Sequence, residues 1–287
     1  MGKQSQTEKS MKGLNFGPYW AWLIPVAGLL IKFITMANIP GHIWPGSDAE
    51  SYLDGVNGLI KSGLFSDAEK LQYFPAGYPI VIWLLAKVSL SNALLLLSIF
   101  QSLVFALSTW YFTLKINVGK FTKFAPWLSL LITFNPTLSL SSLAIGYESL
   151  VASLLMISVG ALFAVNKTGT KNWKLFIVFS LASSFASFLQ PRYLATTAIL
   201  LVIWLVKEFG ISNSKKYFAV AIAILMLSPL ALGFRNSQAT GKFFVSNNLG
   251  VTMNVGAGPK SSGGYTNKAT GVDCPPDVKT DNQTVIC

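Results

Sequence analysis

Repeated apolar runs, each on the scale of a lipid bilayer, constrain this chain more than any other feature. A spanning helix needs about 20 mainly apolar residues, within a range of about 17 to 25, and shorter runs suffice where flanking side chains reach the interface. Seven runs meet or approach that requirement: 20–36, 93–116, 124–145, 148–165, 174–190, 193–206 and 218–232. An eighth, 79–90, is too short to cross alone and ends near Lys87, which predicts an interfacial or partly inserted helix. Composition agrees, because 11% of the residues are charged and 52% hydrophobic, whereas soluble domains carry about 25% charged residues. An ordinary water-soluble fold is excluded. Polar, Gly-rich sequence follows Leu232, so the predicted organisation is a polar segment 1–19, a membrane unit 20–232 with a large first loop 37–92, and a polar tail 233–287.

Charge placement sets an expected orientation. The net charge of +11 comes from lysines clustered between apolar runs rather than along one basic face, so a topological role is favoured and nucleic acid is not an expected partner. With the N-terminus in the cytoplasm, four lysine triplets fall inside: Lys3/Lys9/Lys12, Lys115/Lys120/Lys123, Lys167/Lys171/Lys174 and Lys207/Lys215/Lys216. Nine of the 11 acidic residues then lie outside, all but Glu8 and Glu208. Making 79–90 a full span would send the lysine triplets that follow it to the wrong side, against the positive-inside rule. The first run follows Lys3, Lys9 and Lys12, as in a signal anchor or a signal peptide, and the further spans favour an uncleaved anchor. The exterior face should therefore hold 39–91, the turns at 146–148 and 190–193, and the tail.

On that face the first loop carries Ser47-Asp48-Ala49-Glu50-Ser51-Tyr52 and, later, Tyr73-Phe74-Pro75-Ala76-Gly77-Tyr78-Pro79. Asp48, Tyr52, Gly55 and Leu59 recur at helical spacing, which puts a carboxylate at the start of one helix face. Ser47 followed by Glu50 reads as a capping box, and Asp48 suits the dipole of a first turn. Asp48 also reads as a general base, since a carboxylate near an attacking hydroxyl can take its proton. Glu148, at the start of a span, is a functional candidate because acids this close to the bilayer are costly, or else a headgroup-level helix charge. Arg192, beside the helix-breaking Pro191, opposes the charge trend and could hold a phosphate through paired hydrogen bonds. Arg235 could assist it or bind lipid headgroups. Glu50, Tyr52 and Tyr78 complete the set of candidate substrate contacts.

Other chemistries lack their parts. His42 is the only histidine, so neither a hydrolase triad nor a His-rich metal site can be assembled, and no Walker-type phosphate loop occurs. No cofactor is assigned, although Asp48 and Glu148 leave room for a carboxylate-bound divalent cation. Cys274 and Cys287 in the tail could pair in an oxidising compartment, and Asn282-Gln283-Thr284 matches a glycosylation acceptor pattern that chance explains equally well.

Asp48-Ala49-x-x-Tyr52, then Gly63 and Pro75-x-Gly77-Tyr78-Pro79, resembles the first exterior loop of GT-C superfamily membrane glycosyltransferases. The nearest likeness is to the bacterial protein-mannosyltransferase-like and aminoarabinose-transferase-like enzymes. Arg235-Asn236, Asn247-Asn248-Leu249-Gly250, Gly256-Ala257-Gly258-Pro259 and Gly263-Gly264-Tyr265 resemble the segment that follows their membrane module. The resemblance implies an all-α polytopic module of about seven transmembrane helices, with amphipathic juxtamembrane helices in the first exterior loop. It implies transfer of a sugar from a polyprenyl-phosphate donor to a hydroxyl or amine of a lipid, glycan or protein acceptor, usually with inversion. It places the chain in the bacterial inner membrane with its active face outside, makes Asp48 the catalytic base and Glu148 a second exterior acid, and leaves Arg192 a weaker phosphate ligand. Relatives continue with further membrane helices, so a fragment or truncated member is expected. A transporter or lipid flippase, and a non-catalytic relative, stand as alternatives.

Overall fold

The structure, a computed structural model, describes residues 19–117, 121–168 and 172–247, with the backbone course alone for 166–168 and 207–214. Lys3, Lys9, Lys12, Lys120 and Lys171, the cysteines, and the motifs from Asn248 onward lie outside the described residues. What is described is helical: α1 (Trp20–Ala37), α2 (Ala49–Ser62), α3 (Glu69–Tyr73), α4 (Gly77–Val88), α5 (Ala93–Ile116), α6 (Ala125–Phe134), α7 (Pro136–Leu140), α8 (Glu148–Thr168), α9 (Trp173–Leu189) and α10 (Tyr193–Thr240). Short 3-10 turns occupy Pro40–His42 and Ser141–Leu143.

Among the described residues, four helical stretches are long and apolar enough to cross a membrane: Trp20–Ala37, Ala93–Ile116, Glu148–Val165 and Lys215–Thr240. The other three expected spans are shorter. The run at 124–145 is not one helix, because Asn135 precedes Pro136 and takes an extended conformation (φ −63°, ψ 118°). A proline's ring disfavours the helical region for the residue before it. The Asn135 side chain then accepts a bond from Leu138 N at 2.9 Å and caps α7. At about 15 Å, the 10-residue α6 falls short of the roughly 30 Å hydrocarbon core. The same proline rule ends α9, where Gln190 is extended ahead of Pro191 (φ −149°, ψ 100°). Helix α4, of 12 residues, is a separate short element, as its sequence predicts.

A straight α10 could not make the contacts it makes. Tyr193 N bonds Gln190 O at the end of α9, yet Ser228 lies 2.8 Å from Ser184 within α9. A straight helix would separate 193 from 228 by about 50 Å. The path therefore folds back, and its parts Tyr193–Val206 and Lys215–Thr240 both pack along α9, where the Phe176 ring meets Trp204 at 6.5 Å and Tyr217 at 5.1 Å. The helix also continues to Gly241, whose left-handed φ of 76° ends it, rather than stopping near Leu232.

Helices α5, α8, α9 and α10 pack in succession, with α1 and α6 against α5. Small and hydroxyl residues let the backbones close up. Ser183 donates to Ser158 across α8 and α9 at 3.0 Å. A Cβ on Gly160 would come within 3.2 Å of the Phe112 Cα on α5. The two ends of the bundle differ in charge. Lys115, Lys123, Lys174, Lys215 and Lys216 sit at one end with no acidic side chain described there, while Asp48, Glu50, Asp54, Asp67, Glu69 and Glu148 all belong to the other.

Candidate functional site

At the acid-bearing end the first loop pairs with the segment between α7 and α8. Trp44 N donates to Leu143 O at 2.8 Å and Ile145 N donates to Trp44 O at 3.0 Å, an isolated parallel bridge. Gly46 permits this approach, since a Cβ there would lie 2.2 Å from Ile145 O. The pairing leaves an open cleft of about 190 Å³ walled by Gly46, Ser47, Asp48 and Tyr52 on one side and by Ser141, Ala144–Gly146 and Glu148 on the other. Both carboxylates are exposed, and neither accepts a side-chain hydrogen bond from a described residue. Asp48 is the N-cap residue of α2 without a side-chain cap bond. The expected capping box between Ser47 and Glu50 is thus not formed, because the helix begins one residue later than that motif requires.

The floor beside the cleft is aromatic. Tyr52, 3% exposed, meets Phe74, Tyr78 and Tyr147 edge-on at 5.3, 5.0 and 6.3 Å. Burial raises its phenol pKa, and the neighbouring Tyr147, Asp48 and Glu148 push it further up. Burial likewise raises Tyr147, against the opposing effects of Gln190 and Arg192. Arg192 donates to the Tyr147 hydroxyl at 2.5 Å and lies over the Tyr147 and Tyr193 rings at 5.6 and 5.5 Å. The guanidinium is consequently two rings away from the cleft rather than in it.

Of the candidates, the cleft takes in Asp48, Tyr52 and Glu148, while Glu50, Tyr78, Arg192 and Arg235 do not line it. Tyr78 is fully buried, and its hydroxyl donates to Gln101 Oε1 at 3.1 Å and accepts from Gly146 N at 2.8 Å. Arg235, 3% exposed, donates to the carbonyls of Leu64 (3.0 Å), Leu71 (3.5 Å) and Ser66 and to Asn236 Oδ1 (2.7 Å). It ties the last helix to the first loop. Asn236 Nδ2 in turn holds Phe244 and Val245 through their carbonyls.

Sequence reasoning passed over Ser47 and Ser141 as cleft walls, and Gln101 and Lys32 altogether. The last two carried a signal, each being a strongly polar residue in the interior of an apolar run. Lys32 is 2% exposed, its Nζ has no hydrogen-bond partner, and it lies 3.7 Å from the Phe105 ring centroid. No three His, Cys, Asp or Glu side chains converge among the described residues, so a divalent cation in the cleft would have Asp48 and Glu148 as its carboxylates. No protein-family model, curated protein or solved structure matches the chain.

Proposed function

We propose that this chain is a membrane glycosyltransferase that takes a sugar from a polyprenyl-phosphate donor at its acid-bearing end, with that end facing the exterior. The observation that carries the reading is the convergence of Asp48 and Glu148, distant in sequence, on one open cleft at the end of a bundle of apolar helices. An acceptor hydroxyl enters beside Asp48. Its oxygen bonds to the anomeric carbon, the bond from that carbon to the phosphate oxygen breaks, and the hydroxyl proton passes to Asp48 while polyprenyl phosphate leaves. Glu148 orients the acceptor from the opposite wall. A cleft of about 190 Å³ is smaller than the roughly 300–1,000 Å³ of sites for drug-sized ligands, so the isoprenoid part of the donor stays outside it, in the bilayer. The lysine-bearing end faces the cytoplasm, in keeping with the positive-inside rule.

The test is transfer of radiolabelled sugar from a panel of polyprenyl-phosphate sugars by membranes holding either the native chain or Asp48→Asn. Loss of a general base lowers turnover by about 10²- to 10⁴-fold. Unaltered turnover in an inserted Asp48→Asn protein would remove Asp48 from the chemistry.

A transporter is the second reading, and Lys32 favours it, since an ionisable group inside a span marks a pathway by default. Under that reading Lys32→Met abolishes movement of a solute into proteoliposomes. Under the transferase reading it leaves sugar transfer in place.

A further inference from the structure

We propose that Gln101 is the positioning residue of the cleft, acting with Tyr78 to hold the wall that carries Glu148 at its working distance from Asp48; as a statement about catalysis this rests on the glycosyltransferase reading. The wall is Ser142–Gly146, which leaves the 3-10 turn Ser141–Leu143 and turns extended at Ala144 (φ −120°, ψ 152°). Successive residues of an extended chain present their groups to opposite sides. On one side Leu143 O and Ile145 N are taken by Trp44. On the other, Gln101 Nε2 donates to Ser142 O at 3.2 Å and to Ala144 O at 3.0 Å, and Gly146 N donates to the Tyr78 hydroxyl at 2.8 Å. Tyr78 closes the network by donating to Gln101 Oε1 at 3.1 Å. The two side chains thus stand where a second neighbouring strand would be.

The chemistry of the partners dictates the orientation of the carboxamide, because only its NH₂ can face two carbonyl oxygens. Gln101 and Tyr78 are both 0% exposed, so water has no access to replace a lost bond, and an unpaired backbone group there is costly. Loss of either side chain lets the wall shift, and with it Ser141, Gly146 and Glu148 move away from Asp48 and Tyr52. A 1 Å misplacement of reacting groups can cost about 100-fold in rate.

The experiment reads geometry and catalysis separately. In the full chain with Cys274 and Cys287 replaced by serine, Ser47→Cys and Ser141→Cys place thiols on the two walls. Yields with short and long bifunctional thiosulfonates are compared with and without Gln101→Met, a substitution of similar volume. Gln101→Met is expected to shift the preference to the longer reagent by at least about five-fold. In the cysteine-unmodified chain it lowers kcat for transfer by about 10- to 100-fold at unchanged donor KM. Should Gln101→Met fail to fold, Tyr78→Phe, which deletes one hydroxyl from a packed ring, gives the same pair of readouts. An unchanged cross-linking preference overturns the proposal, whatever the activity. A changed preference in a chain whose unsubstituted form transfers no sugar from any donor supports the positioning role and overturns the transferase reading instead.

Discussion

Among the described residues, Lys32 and Arg235 are buried under opposite conditions. The Arg235 guanidinium spends its donors on three backbone carbonyls of the first loop and on Asn236, whereas the Lys32 amine has an aromatic ring and no hydrogen-bond partner. Removing a hydrogen-bonded group strands its buried acceptors, at about 1–3 kcal/mol for the unsatisfied partners. Removing an unpaired amine strands nothing. Arg235→Met should therefore lower the thermal midpoint of the detergent-solubilised protein by several degrees. Lys32→Met should leave that midpoint unchanged or raise it, with sugar transfer within about two-fold of native. A fall with Lys32→Met as large as that with Arg235→Met would mean that the amine has a partner that stabilises the fold. At this scale the sequence was partly legible. Asp48, Tyr52 and Glu148 were readable as candidates from residue type and place in the chain. The commitment of Arg235 and Tyr78 to internal bonds was not, because it depends on carbonyls far away in sequence.

Between elements, α4 and α9 approach closely at Gly77. A Cβ on Gly77 would lie 2.0 Å from the Phe188 carbonyl oxygen, a backbone atom that cannot swing aside. Gly77→Ala should force α4 outward at a cost of about 1–3 kcal/mol. Because α4 carries Tyr78, the variant should also lose transfer activity beyond what its stability explains. A Gly77→Ala protein with native midpoint and native turnover would show that α4 and α9 part without consequence. The apolar runs announced most helices, since length and hydropathy act locally. The break at Asn135-Pro136 was written in the sequence too, but in a run otherwise apolar enough to span it was overridden by length. The fold-back of α10 was legible as two runs separated by lysines. The bridge of Trp44 to Ala144 was not legible, because two residues of pairing between distant segments leave no periodic trace.

For the molecule as a whole, the confinement of the described acidic side chains to one end of the bundle, the end that holds the cleft, is the property that both sequence and structure carry. The acid-bearing end also concentrates buried phenols. Burial raises the pKa of Tyr52, Tyr78 and Tyr147, while an unfolded tyrosine ionises near pH 10. Above about pH 10 the unfolded chain has then released protons that the folded chain retains, so stability falls as pH rises. Below about pH 10 these groups contribute no slope. In a series of thermal midpoints from pH 8 to 11.5, the contribution of these phenols appears above about pH 10, where Tyr52→Phe should lose less stability with rising pH than the native chain. Equal descent in both proteins would place the effect elsewhere.

The central claim is that the cleft between Asp48 and Glu148 performs glycosyl transfer, and single-turnover transfer by the purified chain in lipid nanodiscs tests it most directly. With a saturating polyprenyl-phosphate sugar, Asp48→Asn and Glu148→Gln should each slow transfer, Asp48→Asn by about 10²-fold or more, while donor binding persists. Native rates in both variants, or no transfer by the native chain from any donor in the panel, would contradict the account.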